Sequence, residues 1–480
     1  MDVRRVPRRL RAPVFDAARG LARVLALVAS LGIGSACLGQ AVETPATPAA
    51  SASSAERATG TPRPRETFPL QERRTWRFDE DTQAPSGARV GAILIDNEFS
   101  GARVNACERI GPFEYKIVTS PENLPINPSP WYAFRLHRDG VDASVAPHEV
   151  VVRIVVTSSK SRPWPRVSVD GGPFERAPRD RYEGGEGAKE CVLRLSLGEK
   201  PVVVAANTLI GIGEIEGWTD GIAAQFGAKP REIGRSRAGR GIRAFEFGAA
   251  DARDLVVVIG RQHPPEVSGT VGFMRFIETL AADSKLARDF RARFRVLCVP
   301  LVNPDGVHEG NWRSTLGHVD ANRDWHEFTE PETRAVRDAI RAFAAASGAR
   351  VRLLLDFHAT NKDIFYVPPD ATPLEPPHFA RDWLAAITAR FPEYAVESSA
   401  TNNVNEWTFK RWAFETFGAP GITYELGTST PHEKIGEIVP GAAEEAMRIL
   451  LAFVEQAGTP HDASGVTPKN GATSPEPAAR

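Results

Sequence analysis

The sequence predicts an α/β protein whose mostly parallel sheet is flanked by helices and preceded by an all-β sandwich. Three observations carry that prediction. From about residue 206 onward, buried-strand runs alternate with segments of helical period, the grammar of a parallel sheet covered on both faces. Between about 78 and 205, short β-rich runs follow one another with turn formers between them and no convincing helix. The chain has 480 residues, too many for one core and suited to two domains plus tails.

The amino terminus differs from the rest. Met1 to Arg23 is rich in arginine, and Val24 to Gly39 is apolar or small without charge, the form of an export signal over residues 1–41. The run is shorter than the roughly 20 residues a spanning helix needs. Gly34-Ser35-Ala36-Cys37 resembles a lipoprotein processing site, so contact with a membrane is expected only if Cys37 is lipidated. Export would place the protein in the periplasm or outside the cell. Residues 42–77 are rich in Ala, Thr, Pro and Ser and read as a disordered linker. The net charge of −1 offers no field for nucleic acid, and no zinc-finger or phosphate-loop pattern occurs. No stable protein partner is predicted.

In the sandwich, residues 78–205, the strand runs include Arg89 to Ile95, Glu114 to Val118, Trp131 to Leu136, Val150 to Val156 and Cys191 to Leu195. Asp139-Gly140 and Asp170-Gly171-Gly172 supply turns. Cys107 and Cys191 are candidates for one disulfide in an oxidising compartment, and Cys298 reads as a packed thiol. His137 and His148 read as surface or turn residues.

The α/β region, 206–456, opens its strands with Leu255 to Gly260, then Phe294 to Val302, Val351 to Phe357 and Gly421 to Tyr424. Helices are predicted over Thr270 to Ala282, from a capping box at Thr329-Glu330-Pro331-Glu332 to about Ala346, around Phe379, Trp383 and Ile387, and over Ala442 to Val454. Residues 457–480 read as a disordered tail.

His263-Pro264-Pro265-Glu266 stands directly after the first of these strands, at the edge where open α/β sheets bind ligands. Two prolines stiffen the loop, and a His and a carboxylate suit a divalent cation. His358 ends another strand two residues after Asp356, a candidate carboxylate to fix its tautomer. Three such ligands leave a fourth coordination position open, the catalytic form of a zinc site. Arg313 and Arg323 lie on loops leaving the same edge, and their planar forks suit a carboxylate. Glu425 ends a further strand, placed to act as a base.

His263-Pro-Pro-Glu266, Asn303-Pro-Asp-Gly-Val, Asn311-Trp-Arg313, Asp320-Ala-Asn322-Arg323, Asp356-Phe-His358 and Thr423-Tyr-Glu425 together resemble the zinc carboxypeptidase family in order and spacing. The likeness is closest to the cytosolic-type carboxypeptidase branch and its bacterial relatives. It includes a Trp-Tyr-x-Phe-Arg strand at Trp131 to Arg135 and an entry segment at Ile233 to Arg240, and covers about residues 85 to 455. The resemblance implies a carboxypeptidase-like mixed sheet and one Zn²⁺ per chain held by His263, Glu266 and His358. It implies Glu425 as general base, Arg313 as oxyanion stabiliser, and Asn322 and Arg323 as holders of the substrate's terminal carboxylate. The partner implied is a peptide with a free C-terminal carboxylate. The second proline replaces a glycine common in that branch, and no tyrosine stands about twenty residues before Glu425, where Asn402 to Asn405 lie. Tyr394 and Tyr424 read as packing residues. Lys410 and Arg411 fall where family members shape the side-chain pocket; they read either as selectors of acidic side chains or as a solvated pair.

The expected function is hydrolysis of a C-terminal peptide or isopeptide bond. A cell-wall stem-peptide amidopeptidase with the same site is the alternative that export would favour. A non-catalytic binder of peptide C-termini is a second, disfavoured by Glu425.

Overall fold

In the computed structural model the described residues are 69–80 and 91–458, apart from 127–128, 141–146, 161–163, 186, 346–347 and 401–405, with the backbone of Glu66–Thr67 in addition. The export reading, Cys37, Asn402 to Asn405 and all but the first two residues of the predicted tail lie outside them.

The amino-terminal half of the described chain is two sheets with a shared core. One runs Glu175–Arg176, Arg166–Val169, Val202–Ala205, Ala133–Asp139, Ala92–Asp96, Thr75–Asp79, all antiparallel. The other runs Tyr182–Glu183, Glu190–Leu197, His148–Val156, Glu114–Thr119, Ala106–Gly111, with a single parallel pair between His148–Val156 and Glu114–Thr119. Alternate residues such as Val150, Val152 and Ile154 point inward and their neighbours outward, the pattern of a sheet buried on one face. The stretch expected to be a linker is ordered well before residue 78. Gln71 is buried, with its Nε2 donating to the carbonyls of Ala102 and Glu309 at 2.7 Å each, and Thr75–Asp79 is an edge strand.

Cys107 and Cys191 are not bonded. The register places Cys107 beside Ile117, Ile117 beside Ile154, and Ile154 beside Cys191. The two thiols share one cross-strand row but stand three strand spacings apart, about 14 Å, well beyond disulfide reach.

The second half is an eight-stranded mixed sheet. Its strands are β1 (Arg231–Arg235), β2 (Gly241–Gly248), β3 (Asp254–Gly260), β4 (Phe294–Val299), β5 (Arg350–Thr360), β6 (Ile364–Tyr366), β7 (Ser398–Ser399) and β8 (Gly421–Gly427). The spatial order is β1-β2-β4-β3-β5-β8-β6-β7, and β4, β3, β5 and β8 are mutually parallel. The helices are α1 (Ile212–Ala224), α2 (Val267–Ala281), α3 (Lys285–Arg293), α4 (Pro304–Glu309), α5 (Pro331–Ala345), α6 (Phe379–Arg390), α7 (Phe409–Phe417) and α8 (His432–Gly458).

Every residue of β3 is buried because both faces of the sheet are covered. Leu255, Val257 and Ile259 pack with Val336 and Phe343 of α5 and Trp412 of α7. Val256 and Val258 pack with Phe273 and Phe276 of α2, Trp383 of α6 and Met447 of α8. In β5 the alternation is broken once. Leu255 pairs with Val351 and Val256 with Leu353, so Arg352 is an extra residue, and the face that each later residue takes is reversed. Beyond this bulge Leu353, Leu355 and Phe357 join the α2 side, which leaves Asp356 and His358 on the other.

Helix α5 is not opened by the predicted box. Asp324 caps it instead, accepting from the backbone N–H of Thr329 and Glu330 at 2.8 and 2.9 Å. Glu332, in its first turn, is fully buried, with one carboxylate oxygen unpartnered. Burial pushes its carboxyl up to about 7. Between pH 4.5 and about 7 the unfolded chain has therefore released a proton that the folded chain keeps, so stability falls as pH rises through that window and levels off above it. Glu332→Gln should flatten this fall, which is on the order of 3 kcal/mol. Urea unfolding at pH 5 and pH 8 reads it; an unchanged difference between the two would refute the assignment.

Candidate active site

The loop after β3 is held rigidly. Arg261 has a left-handed backbone (φ 56°), uncommon for a side chain of this size. Its guanidinium wraps the loop, donating to Pro264 O at 2.8 Å, Thr270 Oγ1 at 2.7 Å and Ile210 O at 3.2 Å. Gln262 is pinned between Trp325 Nε1 and Asp356 Oδ2. Helix α2 then lies flush on β5: a Cβ at Gly269 would come within 2.6 Å of His358 O.

These constraints bring His263, Glu266 and His358 together, all buried, with one donor atom from each within 4.8 Å of the others. Glu266 Oε1 lies 2.8 Å from His263 Nδ1, and Oε2 lies 2.7 Å from His358 Nδ1. The far nitrogen of each ring meets a carboxylate: His263 Nε2 is 2.8 Å from Asp320 Oδ1, and His358 Nε2 is 2.7 Å from Asp356 Oδ2. Nδ1 of both rings is thereby aimed inward. Burial alone would raise the Glu266 carboxyl, yet the two imidazoles outweigh it and hold it far below the usual range. Burial likewise opposes charge on His358, and Asp356 and Glu266 outweigh it, holding the imidazole well above its ordinary value. Two imidazole nitrogens and a carboxylate facing one point are a donor set that fits zinc and leaves room for a fourth ligand.

Glu425 is the parallel register partner of His358 on β8. Its Oε2 has no hydrogen-bond partner among the described residues. Burial, and after it the charge of Glu266, raises the Glu425 carboxyl to about 7. Arg313 Nε donates to Asp320 Oδ2 at 2.7 Å, so one aspartate joins Arg313 to His263. Asn322 lies between β5 and α7: its Oδ1 accepts from Phe409 N at 2.9 Å, and its Nδ2 is 3.3 Å from His358 Nε2. Arg323 is half-exposed and paired with Glu406 at 2.8 Å. All seven predicted site residues thus border the same sheet edge, Arg323 at its solvent rim.

Several neighbours were not singled out from the sequence. Asp320, Asp324 and Gln262 are among them, each holding a neighbouring site element in place. Tyr366 on β6 faces the field of Glu425, which adds to burial in raising its phenol. Tyr424 packs against Phe365 and Tyr394 donates to Asp363, as packing residues do. Asp305 of Asn303-Pro-Asp-Gly ties down the Ser236 to Arg240 turn through Ser236 Oγ, Ala238 N and Arg240 Nη1, which links two of the sequence motifs structurally. Lys410 and Arg411 part company: Arg411 pairs with Glu415 and stacks over Trp407, while Lys410 is buried.

The sandwich supplies part of the wall. Glu122 accepts three consecutive amides of the Arg313 loop, Trp312 N at 2.8 Å, Arg313 N at 3.0 Å and Ser314 N at 2.5 Å. Trp312 itself is buried in the sandwich core. Gly310, left-handed at φ 62°, passes so close that a Cβ would come within 2.9 Å of the carbonyl oxygens of Gly101 and Ala102. No spacing rule relates residue 122 to residue 313, so this lock was invisible in the sequence.

Residues 215–445 match the family model of the zinc carboxypeptidases. Among curated relatives, cytosolic carboxypeptidase 2 of Macaca fascicularis is 42% identical over 318 residues, covering 58% of this chain and 36% of the relative. Cytosolic carboxypeptidase 2 of Danio rerio is 29% identical over 154 residues, covering 30% of this chain and 21% of the relative. The chain thus spans about a third or less of the length of these two relatives. A crystal structure of a metallo-carboxypeptidase from Burkholderia cenocepacia superposes with a TM-score of 0.62 at 18% identity, covering 76% of this chain and all of that one. A metallo-carboxypeptidase from Pseudomonas aeruginosa gives 0.59 at 17%, covering 75% and 99%. At such identities the two structures establish the fold, including the β region before the mixed sheet.

The relatives overturn one expectation. They are named cytosolic carboxypeptidases, against the export, signal peptide and secretion read from residues 1–41. A basic stretch followed by an apolar one is a compositional pattern that a leading segment can carry without being exported. The cell-wall alternative loses the export that favoured it. Among the described residues no helix is long and apolar enough to cross a membrane.

Replacing Glu122 by Ala should leave three buried amides unsatisfied and cost about 2 to 4 kcal/mol. Urea unfolding of the full chain measures it, with Glu122→Gln, which keeps one acceptor, falling between. A loss under about 0.5 kcal/mol would remove Glu122 from this role.

Proposed function

We propose that the protein is a zinc-dependent metallocarboxypeptidase that hydrolyses the C-terminal peptide or isopeptide bond of peptides with a free terminal carboxylate. The observation that carries this reading is the inward convergence of His263 Nδ1, His358 Nδ1 and Glu266, with the unpartnered Glu425 carboxylate in register beside His358. His263, Glu266 and His358 would hold the zinc ion, which when bound polarises a carbonyl oxygen and acidifies water.

The rest is done by the chain's own side chains. Asn322 and Arg323 hold the terminal carboxylate. For Arg323 this exchanges one carboxylate for another, because its pair with Glu406 is exposed and weak. Arg313, kept in place by Asp320 and by the Glu122 lock, faces the carbonyl oxygen as it gains negative charge. Glu425 takes a proton from the attacking water and delivers it to the leaving amine. Glu425→Gln should lower kcat by at least about 1000-fold with zinc content unchanged, read by peptide mass spectrometry and metal analysis; substantial residual turnover would remove Glu425 as the base. Chelation should abolish turnover of the parent.

Lys410 supports a finer reading, a preference for an acidic last residue. It directly follows Phe409, whose N–H bonds Asn322, so it flanks the carboxylate anchor. Its Nζ donates to Val367 O at 3.3 Å, and burial pushes its ammonium down to about 8. A lysine ammonium beside the anchor can pair with a carboxylate side chain of the substrate's last residue. Lys410→Met should lower kcat/KM for peptides ending in Glu by about 10- to 100-fold relative to those ending in Gln. A library varied at its last residue reads this, and an unchanged ratio would sink it.

A further inference from the structure

We propose that Gln262, aimed by Trp325, is a positioning residue: through Asp356 it keeps Nδ1 of His358 turned towards His263 and Glu266, ready for zinc. This rests on the zinc reading above and goes beyond it. It traces the aim of one ligand to a chain of hydrogen bonds that begins at an indole in the core beneath α5 and α7.

The chain has a fixed direction. The indole N–H of Trp325 can only donate, so the oxygen of the Gln262 amide is the end that faces it, at 2.9 Å. The amide nitrogen therefore points the other way, and it donates to Asp356 Oδ2 at 2.7 Å. An ionised carboxylate can only accept, so His358 Nε2, 2.7 Å from the same oxygen, carries a proton and donates it. The nitrogen left to face inward is Nδ1, beside Glu266 Oε2 and His263 Nδ1. Two amide groups also lie near Nε2, Gln262 Nε2 at 3.4 Å and Asn322 Nδ2 at 3.3 Å. Neither accepts, and Phe409 N holds the Asn322 amide in that sense by donating to its Oδ1. The Nε2 proton thus has one acceptor, and Gln262 holds that acceptor in place.

Trp325, Gln262, Asp356 and His358 are all buried, so water does not replace a lost link. Trp325 is wedged against Phe409 and Trp412 of α7 and against Phe328, and Asn303 Nδ2 donates to the Gln262 carbonyl at 3.1 Å. Among the described residues Oδ1 of Asp356 has no partner, which leaves the Gln262 amide and the His358 ring to hold this carboxylate. The His263 side is braced separately. Asp320, behind that ring, also accepts from Arg313 Nε at 2.7 Å and from Asn322 N at 2.9 Å. Loss of the Gln262 amide should therefore loosen one ligand and leave the other in place.

The test is the zinc affinity of the full chain, read by competition with a chromophoric chelator and so independent of catalysis. Q262M keeps the length of the side chain and loses the amide; it should bind zinc about 10- to 100-fold more weakly. W325F keeps an aromatic ring in the core and loses the indole N–H; it should weaken zinc in the same direction by less. I387V trims the core at α6, on the opposite face of the sheet, and serves as the control for lost stability. Urea unfolding of the metal-free variants measures that loss, and I387V should keep the parent's zinc affinity. Cobalt in place of zinc gives a second reading, since the visible absorption of the site should change in Q262M and not in I387V. Zinc affinity within about 2-fold of the parent in both Q262M and W325F would overturn the proposal. So would an affinity that falls in step with stability, I387V included, which would make Gln262 a packing residue. A failed peptidase reading would show separately, as a parent that binds zinc tightly and cleaves no peptide.

Discussion

Four carboxylates crowd the carboxyl edge of this sheet. Glu266, Asp320, Asp356 and Glu425 all lie within reach of two imidazoles, each shielded from solvent wholly or in large part. Buried like charges are costly unless positive charge is set among them. Arg313 supplies some of it from the Asp320 side, and the inward-facing donors of His263, Glu266 and His358 mark where more belongs. A dication between those donors would offset the surplus; burial first, and the charge of Glu266 after it, raise the Glu425 carboxyl. The stiff loop, the Gly269 contact and the aspartates behind each ring exist to keep this arrangement from relaxing.

The sandwich is part of that restraint. Through Glu122 it fixes the backbone that carries Arg313, and Trp131 and Asn207 border a narrow space beside Glu266. Gln71 and Arg73 reach the carbonyls of Glu309 and His308, so even the residues before its first long strand are tied to the catalytic half. A region that looks in sequence like an independent module is, in its contacts, one side of the active-site cleft.

How much of this was legible in the sequence follows from the range of the forces involved. Strand β3 is readable because burial on both faces demands an unbroken apolar run, and His263 and Glu266 stand out as candidate ligands because a loop fixed by prolines carries both at close spacing. His358 and Glu425 stand at strand ends and were found by the same logic. Asp320, Glu122 and Asp324 were missed as partners because a carboxylate's partner across tens or hundreds of residues leaves no periodic trace. Lys410 was legible as a cation but not as a buried one, since nothing local distinguishes it from Arg411. The disulfide expectation failed for a reason only register reveals: the two cysteines share a row without sharing a neighbour.

The bulge at Arg352 acts as a phase shifter. Below it β5 follows the alternation of its neighbours; above it the same strand runs half a period later, and the arginine at the step is tethered to Asp254 and Glu375. His358 therefore owes its side of the sheet to a single inserted residue several positions away. A chain one residue shorter at that step would keep its strand order and its hydrophobic content, yet would present Phe357 to the catalytic cleft and turn His358 towards α2.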